Sequence, residues 1–555
     1  MATTTDAYDA APGNGLCQGV LGFPCSLRAA IQEANALAGP DVITLPAGTY
    51  NLTRSGAGED SASTGDLDIT SDLTINGAGA ATTIIDAGDL DRVFHVLSGT
   101  VSISGVTIRN GNLGGDGGGI YNSGILELTN STVSDNTAGD GGGIYNYYGN
   151  VTLTNSTVSG NGATNGAGIR NLGTLTLTNS TVSDNTAGDG GGIFNSGTLT
   201  LTNSTVSGNT AGREGGGIYN YHNLTLTNST VSGNSANYSG GGIYNNGALT
   251  LTNSTVSGNT ASGGGGGIHN SLPMWPYAPS AGNVTLTNST VSGNRANYSG
   301  GGISNYHNLT LTNSTITSNT ADWDANGTGD GGGIVGASAV SLKNTIVAGN
   351  FDLSSVTVDP DCAETLSSQG HNLIQTVSPG CTVTGDTTGN VIGQDANLGS
   401  LANNGGPTQT HAILADSPAI DAGSSDCPPP ATDQRGVGRP LGSGCDIGAY
   451  ESSFVSTPPG DSDGDGWTDE AEAWFGTNPN VACGFTSGGD PASENWPADL
   501  FESDNINTTD VLQLRPVFGQ PVPPASARYD LFPSGNINTT DVLQLKPQFG
   551  GVCTP

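Results

Sequence analysis

The densest set of hard oxygen donors in this 555-residue chain is DSDGDGWTDEAE, from Asp461 to Glu472. Asp461, Asp463, Asp465, Trp467, Asp469 and Glu472 stand at positions 1, 3, 5, 7, 9 and 12 of a twelve-residue loop, with Gly466 at position 6. Ca²⁺ takes about six to eight oxygens around one point, a glycine for the sharp turn and a bidentate carboxylate to close the shell. The segment meets each requirement, so Ca²⁺ is the expected cofactor; the bland alternative is an acidic linker. The thiols are the second chemical resource. Cys17, Cys25, Cys362, Cys381, Cys427, Cys445, Cys483 and Cys553 are even in number, and none lies between Cys25 and Cys362. That pattern suggests disulfides formed in an oxidising compartment. Neighbour pairing (17–25, 362–381, 427–445, 483–553) is adopted from about 105 connectivities. No CxxC occurs to favour zinc.

Catalysis by carboxylates finds less support. Polysaccharide cleavage needs clustered acids, or Ca²⁺ with a positioned base. No Asp-Asp pair occurs. Asp116, Asp135, Asp140, Asp184, Asp189 and Glu214 fall at turns and largely skip repeat copies, and Arg109, Arg170, Arg213 and Arg295 fall in separate copies. No catalytic residue is assigned, and the chain is expected not to be an enzyme.

The charge excludes other classes. Asp and Glu number 48 against 13 Lys and Arg, a net charge of −35, with Lys343 and Lys546 the only lysines. Binding to a phosphate backbone or an anionic membrane depends on Lys and Arg, so neither is expected. There is no long apolar run for a membrane span, and the polar start at Met1 reads as a mature chain whose leader has been removed. Gly makes up 89 of the 555 residues, an excess that needs a structural reason.

That reason is a repeat. LTNST(V/I)xxN begins at Leu128, Leu153, Leu177, Leu201, Leu226, Leu251, Leu286 and Leu311, in steps of 24 or 25 residues with one of 35. Each period holds three β-prone pieces, GGGIYN, LTLTN and STVSGN, separated by Gly, Asn and Asp. Three strands per period of about 25 residues describe one rung of a right-handed parallel β-helix, whose rungs share a core because none can bury its own apolar side. In LTLTN, Leu points in and Thr out. Asn130, Asn155, Asn179, Asn203, Asn228, Asn253, Asn288 and Asn313 recur at one corner and are expected to stack as an amide ladder. Residues 25–37 form the best helical segment, with Ser26 as its cap, and are expected to close the N-terminal end.

Two outward ladders offer binding surfaces. The residue after the GGGI isoleucine is Tyr121, Tyr145, Arg170, Phe194, Tyr219, Tyr244 and His269 in successive copies. An exposed aromatic stripe suits sugar rings or a partner protein; the alternative is stacking that only stabilises the rungs. The insertion at Ser271–Gly282 adds Trp275 and Tyr277, and the loop at Ala321–Asp330 adds Trp323. The Thr-x-Thr columns are similar to those of ice-binding solenoids, although Thr is also a good exposed strand residue.

Family resemblances follow these motifs. CSLRAAIQEAN resembles the CSLREA-type N-terminal region of secreted bacterial β-helix proteins, with Ala29 in place of the motif's Glu. The GGGIYN copies resemble repeats of polymorphic outer-membrane proteins and adhesins, and Ala415–Glu451 resembles the choice-of-anchor region that closes such helices. EAWFGTNPN after the calcium loop resembles thrombospondin-type-3 repeats. DLFESDNINTTDVLQLRPVFG and DLFPSGNINTTDVLQLKPQFG resemble the duplicated segments of type I dockerins. Carried over residue by residue, that resemblance puts Asp499, Ser503, Asn507 and Asp510, and Asp530, Ser534, Asn538 and Asp541, at positions 1, 5, 9 and 12. Phe501 and Phe532 at position 3 offer no ligand oxygen. The implied organisation is an N-terminal cap at 1–40, a β-helix at 41–350, C-terminal rungs and an anchor-like cap at 351–455, a calcium loop at 456–482 and a dockerin-like pair at 483–555. The implied function is a secreted or cell-surface bacterial protein with a structural or adhesive, self-assembling role. Its expected partners are an extracellular protein of the cohesin kind, a second copy of itself, or glycans. A polysaccharide-binding or polysaccharide-degrading β-helix is the alternative, and an ice-binding solenoid the second.

Overall fold

In a computed structural model the chain forms a right-handed parallel β-helix; residues 3–56, 58–271, 282–355 and 358–454 are described. The calcium loop, the dockerin-like copies, Cys483, Cys553, Trp275 and Tyr277 lie outside those residues. Two sheets have 14 strands each, running from Asp41–Leu45 to Thr382–Asp386 and from Gly48–Asn51 to Val391–Ile392. A third has 12, from Leu67–Ile69 to Cys362–Ala363. In all three, each strand pairs in parallel with its counterpart one rung away. The alternation in LTLT explains the first sheet: Leu175, Leu199, Leu224 and Leu249 line the core at 0–1% exposure while the threonines between them face out. Val of STVS and Ile of GGGI supply the other two walls of one continuous core.

Two expectations of the repeat change here. The rungs before Gly162 and after Asp352 carry no more than three strands. From Gly162–Asn165 onward a fourth short strand appears in each rung, and these form an 8-stranded sheet ending at Phe351–Asp352. Its signal is the alanine of N-T-A, which turns inward: Ala211, Ala261 and Ala321 are fully buried. The second change concerns asparagine. Those of LTN take φ near +50° and turn the chain, which Asn tolerates better than most residues. The buried amide ladders belong to the asparagines of SGN and of GIYN. Asn185 Nδ2 donates to Asn209 Oδ1 at 2.9 Å and Asn209 Nδ2 to Asn234 Oδ1 at 2.9 Å. Asn171 Nδ2 likewise donates to Asn195 Oδ1 at 2.7 Å. Stacked amides satisfy one another and the turn backbone, which a lone buried asparagine could not do.

The ends are built differently. The helix Leu27–Ala36 is capped by Ser26, whose Oγ accepts from the Ala29 N–H at 3.1 Å. Its Arg28 is fully buried, 2.7 Å from the Asp6 carboxylate, and donates to the carbonyls of Gly65 and Asp66. This residue ties the N-terminal segment and the helix to the first rungs. Near the other end, residues 396–452 lie along the flank of the rod against the STVS sheet. Gln434 Nε2 donates to Thr255 Oγ1, Thr290 Oγ1 donates to Gln434 Oε1, and Ala449 N–H donates to Thr315 Oγ1. Disulfides join Cys17 to Cys25, Cys362 to Cys381 and Cys427 to Cys445, all outside the regular rungs. No helix among the described residues is long and apolar enough to cross a membrane.

Candidate functional site: a carboxylate and aromatic edge

The side chains with chemical potential gather beside the glycine turns that lead into the third sheet. These turns must be glycine: Gly190 sits at φ +60°, and a Cβ on Gly191 would stand 2.5 Å from the Gly216 carbonyl oxygen of the next rung. The close approach holds neighbouring rungs in register, so whatever precedes and follows the glycines forms straight columns.

The column after the isoleucine runs Asp68, His95, Tyr121, Tyr145, Arg170, Phe194, Tyr219, Tyr244 and His269. Tyr121 stacks on Tyr145 at 5.1 Å, Phe194 on Tyr219 at 4.6 Å, and Tyr244 on His269 at 5.1 Å between ring centroids. Arg170 fills the step between Tyr145 and Phe194, with its guanidinium 3.8 Å from the Phe194 centroid. Tyr145, Phe194, Tyr219 and Tyr244 are only 3–7% exposed, so their ring faces are used within the stack and the stripe is not an open platform. Burial pushes the Tyr145 hydroxyl up to about 12 and holds His269 down at about 4, neutral at ordinary pH.

The acids before the glycines form a second column, parallel to the first. Asp116, Asp140, Asn165 and Asp189 are successive cross-rung partners, and the Glu214 N–H donates to Asp189 Oδ1 at 3.2 Å. The expectation that these acids skip rungs fails for this set, because steps of 24 and 25 residues place them all at one turn position. Asp135 and Asp184 lie at the other corner, in left-handed turns. Arg213 pairs with Asp189, and Arg170 lies 3.8 Å from Asp140. Burial, with the charge of Asp140, pushes the Asp116 carboxyl up. Burial, the hydrogen bond to Asp189 and its charge push Glu214 up to about 7. A carboxyl raised toward neutral pH beside a second carboxyl is a candidate general acid.

Beside the acids, an outer column carries aromatic rings that are exposed. The Tyr238 N–H donates to the Arg213 carbonyl, Gly263 to Tyr238 and Tyr298 to Gly263, so the two tyrosines stand two rungs apart with a glycine between them. Tyr238 is 58% exposed, Tyr298 55% and Trp323 43%. The Arg295 guanidinium stacks 3.8 Å from the Trp323 ring. Sequence reasoning found Trp323 and missed both tyrosines; the signal was ANYSGGGI, present twice. On the opposite wall, Thr176, Thr200, Thr225 and Thr250 stack in register facing outward, as the Thr-x-Thr pattern requires.

The fold defines a right-handed parallel β-helix protein. The family model described as "Right handed beta helix region" matches residues 91–261. No curated protein matches the chain significantly. Among solved structures, the pectate lyase Pel9A is 17% identical with a TM-score of 0.33, over 80% of this chain and 96% of that one. The Azotobacter vinelandii mannuronan C-5 epimerase AlgE4 A-module is 16% identical with a TM-score of 0.35, over 67% and 98%. The AlgE6 A-module from the same organism is 15% identical with a TM-score of 0.34, over 69% and 99%. Likenesses of this size say nothing about activity.

Proposed function

We propose that this chain is a non-enzymatic extracellular adhesion rod of a bacterium that holds a glycan along the edge formed by Tyr238, Tyr298 and Trp323. The observation that carries the reading is the contrast between the two aromatic columns. The inner rings are consumed by stacking on one another, whereas Tyr238 and Tyr298 are more than half exposed and Trp323, with Arg295 on one face, is 43% exposed, along the edge that also carries Asp189 and Glu214. Exposed rings with adjacent polar acceptors suit sugar rings, which present apolar faces and hydroxyl edges. The C-terminal segment completes the reading on sequence grounds: Ca²⁺ at Asp461–Glu472 stabilises a module that docks to a surface protein of the cohesin kind or to a second copy. A glycan array probed with the wild type and with the Tyr238→Ala/Tyr298→Ala double variant tests the glycan reading. Retention of an extended polysaccharide, lost in the double variant, supports it; no retention, or retention unchanged by the substitutions, overturns it.

One observation favours a second reading, cleavage of a polysaccharide by the acid column. Glu214, pushed up to about 7 beside the Asp189 carboxyl, is suited to donate a proton near neutral pH. Turnover of any uronate polymer or neutral glycan, abolished in Glu214→Gln, selects this reading over the first.

A further inference from the structure

The first two turns of the third sheet hold a polar constellation that the glycan edge does not use. Asp68 and His95 are cross-rung partners in the strands Leu67–Ile69 and Phe94–Val96. Asp68 is fully buried; its Oδ2 accepts from the Ala62 N–H at 2.7 Å, while its Oδ1 has no hydrogen bond. That oxygen lies 3.2 Å from His95 Nδ1, and Asp60 Oδ1 lies 3.7 Å from the same nitrogen. One donor atom from each residue falls within 4.8 Å of the other two.

We infer that Asp60, Asp68 and His95 form a binding site for a divalent transition-metal ion of the Zn²⁺ class. Tetrahedral Zn²⁺ takes imidazole nitrogen and carboxylate oxygen at about 2.0–2.2 Å, which sets neighbouring donors about 3.3–3.6 Å apart. The two distances from His95 bracket that separation. Three protein donors leave the fourth position to water. Ca²⁺ is a poor fit, because it asks for about six to eight oxygens and this set offers a nitrogen and two side-chain carboxylates.

The surroundings are prepared for a cation. Asp66 and Asp91 are buried nearby, and Arg92, 2.9 Å from Asp66, is the basic group among them. The backbone that presents Asp60 is held on both sides. The Glu59 carboxylate accepts from the N–H groups of Ser61, Ser63 and Thr64. Arg28 donates to the carbonyls of Ala62, Gly65 and Asp66. The His95 ring is set edge-on against Tyr121 at 5.1 Å. A bound ion would pin this loop to the first two turns of the rod. A plain Asp–His ion pair accounts for the cluster less well, because Asp68 Oδ1 and His95 Nδ1 are close but do not form a hydrogen bond.

The inference goes beyond the glycan reading and stands without it. The test is calorimetric titration of the metal-stripped full chain with Zn²⁺ in saturating Ca²⁺, which keeps the C-terminal loop from competing. The variants are His95→Gln and Asp60→Ala; Asp60 is exposed, so its loss leaves the fold intact. One Zn²⁺ equivalent in the wild type, absent in His95→Gln and weakened at least about ten-fold in Asp60→Ala, supports the site, as does a tetrahedral Co²⁺ absorption band that vanishes in the same variants. Absence of Zn²⁺ binding, or binding unchanged in both variants, overturns it. Should His95→Gln lose its β-sheet circular dichroism, Asp60→Ala decides alone.

Discussion

Substituting one amide of the inner ladder tests whether the rungs are held by side chains as well as by strands. Asn209 is fully buried. Its Nδ2 donates to Asn234 Oδ1 at 2.9 Å and to the Val182 carbonyl at 3.0 Å. Its Oδ1 accepts from the Asn185 N–H at 3.1 Å and from Asn185 Nδ2 at 2.9 Å. In Asn209→Ala the Asn185 main-chain N–H and the Val182 carbonyl lose these partners where water cannot easily replace them. Asn234 Oδ1 is spared, since the Asn209 main-chain N–H still donates to it at 3.0 Å. At about 1–3 kcal/mol for each of the two orphaned buried groups, the cost is about 2–6 kcal/mol. The control is Asn203→Gly, six residues earlier, exposed and at φ +49°. Glycine adopts that conformation freely, so the change there stays within about 0.5 kcal/mol. Guanidinium denaturation followed by circular dichroism supplies the difference. Hydrogen exchange over residues 201–217 localises it, since a solenoid need not unfold as one unit. If Asn209→Ala is no more destabilising than Asn203→Gly, the ladder argument is wrong.

Two further outcomes follow. Because Glu214 sits at about 7 in the folded chain, above its ordinary 4.5, the folded state binds the extra proton. Stability is therefore unaffected by this group below about pH 4.5 and declines as pH rises through 7. The loss is about 1–2 kcal/mol after discounting for the solvent screening of a half-buried group, and unfolding scans from pH 4 to 8 should show this slope flattened in Glu214→Gln. Calorimetry of the full chain with Ca²⁺ should lose one equivalent in both Asp461→Ala and Glu472→Ala, and unchanged stoichiometry would refute the loop assignment.

Much of the fold was legible before any coordinates. The 24- and 25-residue steps, the L-T-L-T alternation and the glycine triplets each report a constraint that acts within one rung or between neighbours, so they survive as a one-dimensional pattern. The Ser26 cap was equally local. The edge tyrosines, Tyr238 and Tyr298, stand two residues before the glycines in both copies of ANYSGGGI, a local signal as regular as that of the residue after the isoleucine. The ring column was correctly spaced, and the structure decided between an open stripe and rungs held by stacking, because exposure depends on what the next rung's ring covers.

Period, core and N-terminal helix cap were thus determined by the sequence alone, since each follows from short-range sterics and from the alternation of side chains along a strand. The tertiary structure decided which of three asparagine sets become the two buried ladders, that Asp116, Asp140, Asp189 and Glu214 form one column, and that residues 396–452 cover the flank of the rod at Thr255, Thr290 and Thr315. It also brought Asp60 and Asp68 to His95 across irregular first turns that carry no repeat. These outcomes depend on register and turn handedness summed over many rungs. A shift of one residue in any turn would exchange inward for outward positions, and no local pattern records that sum.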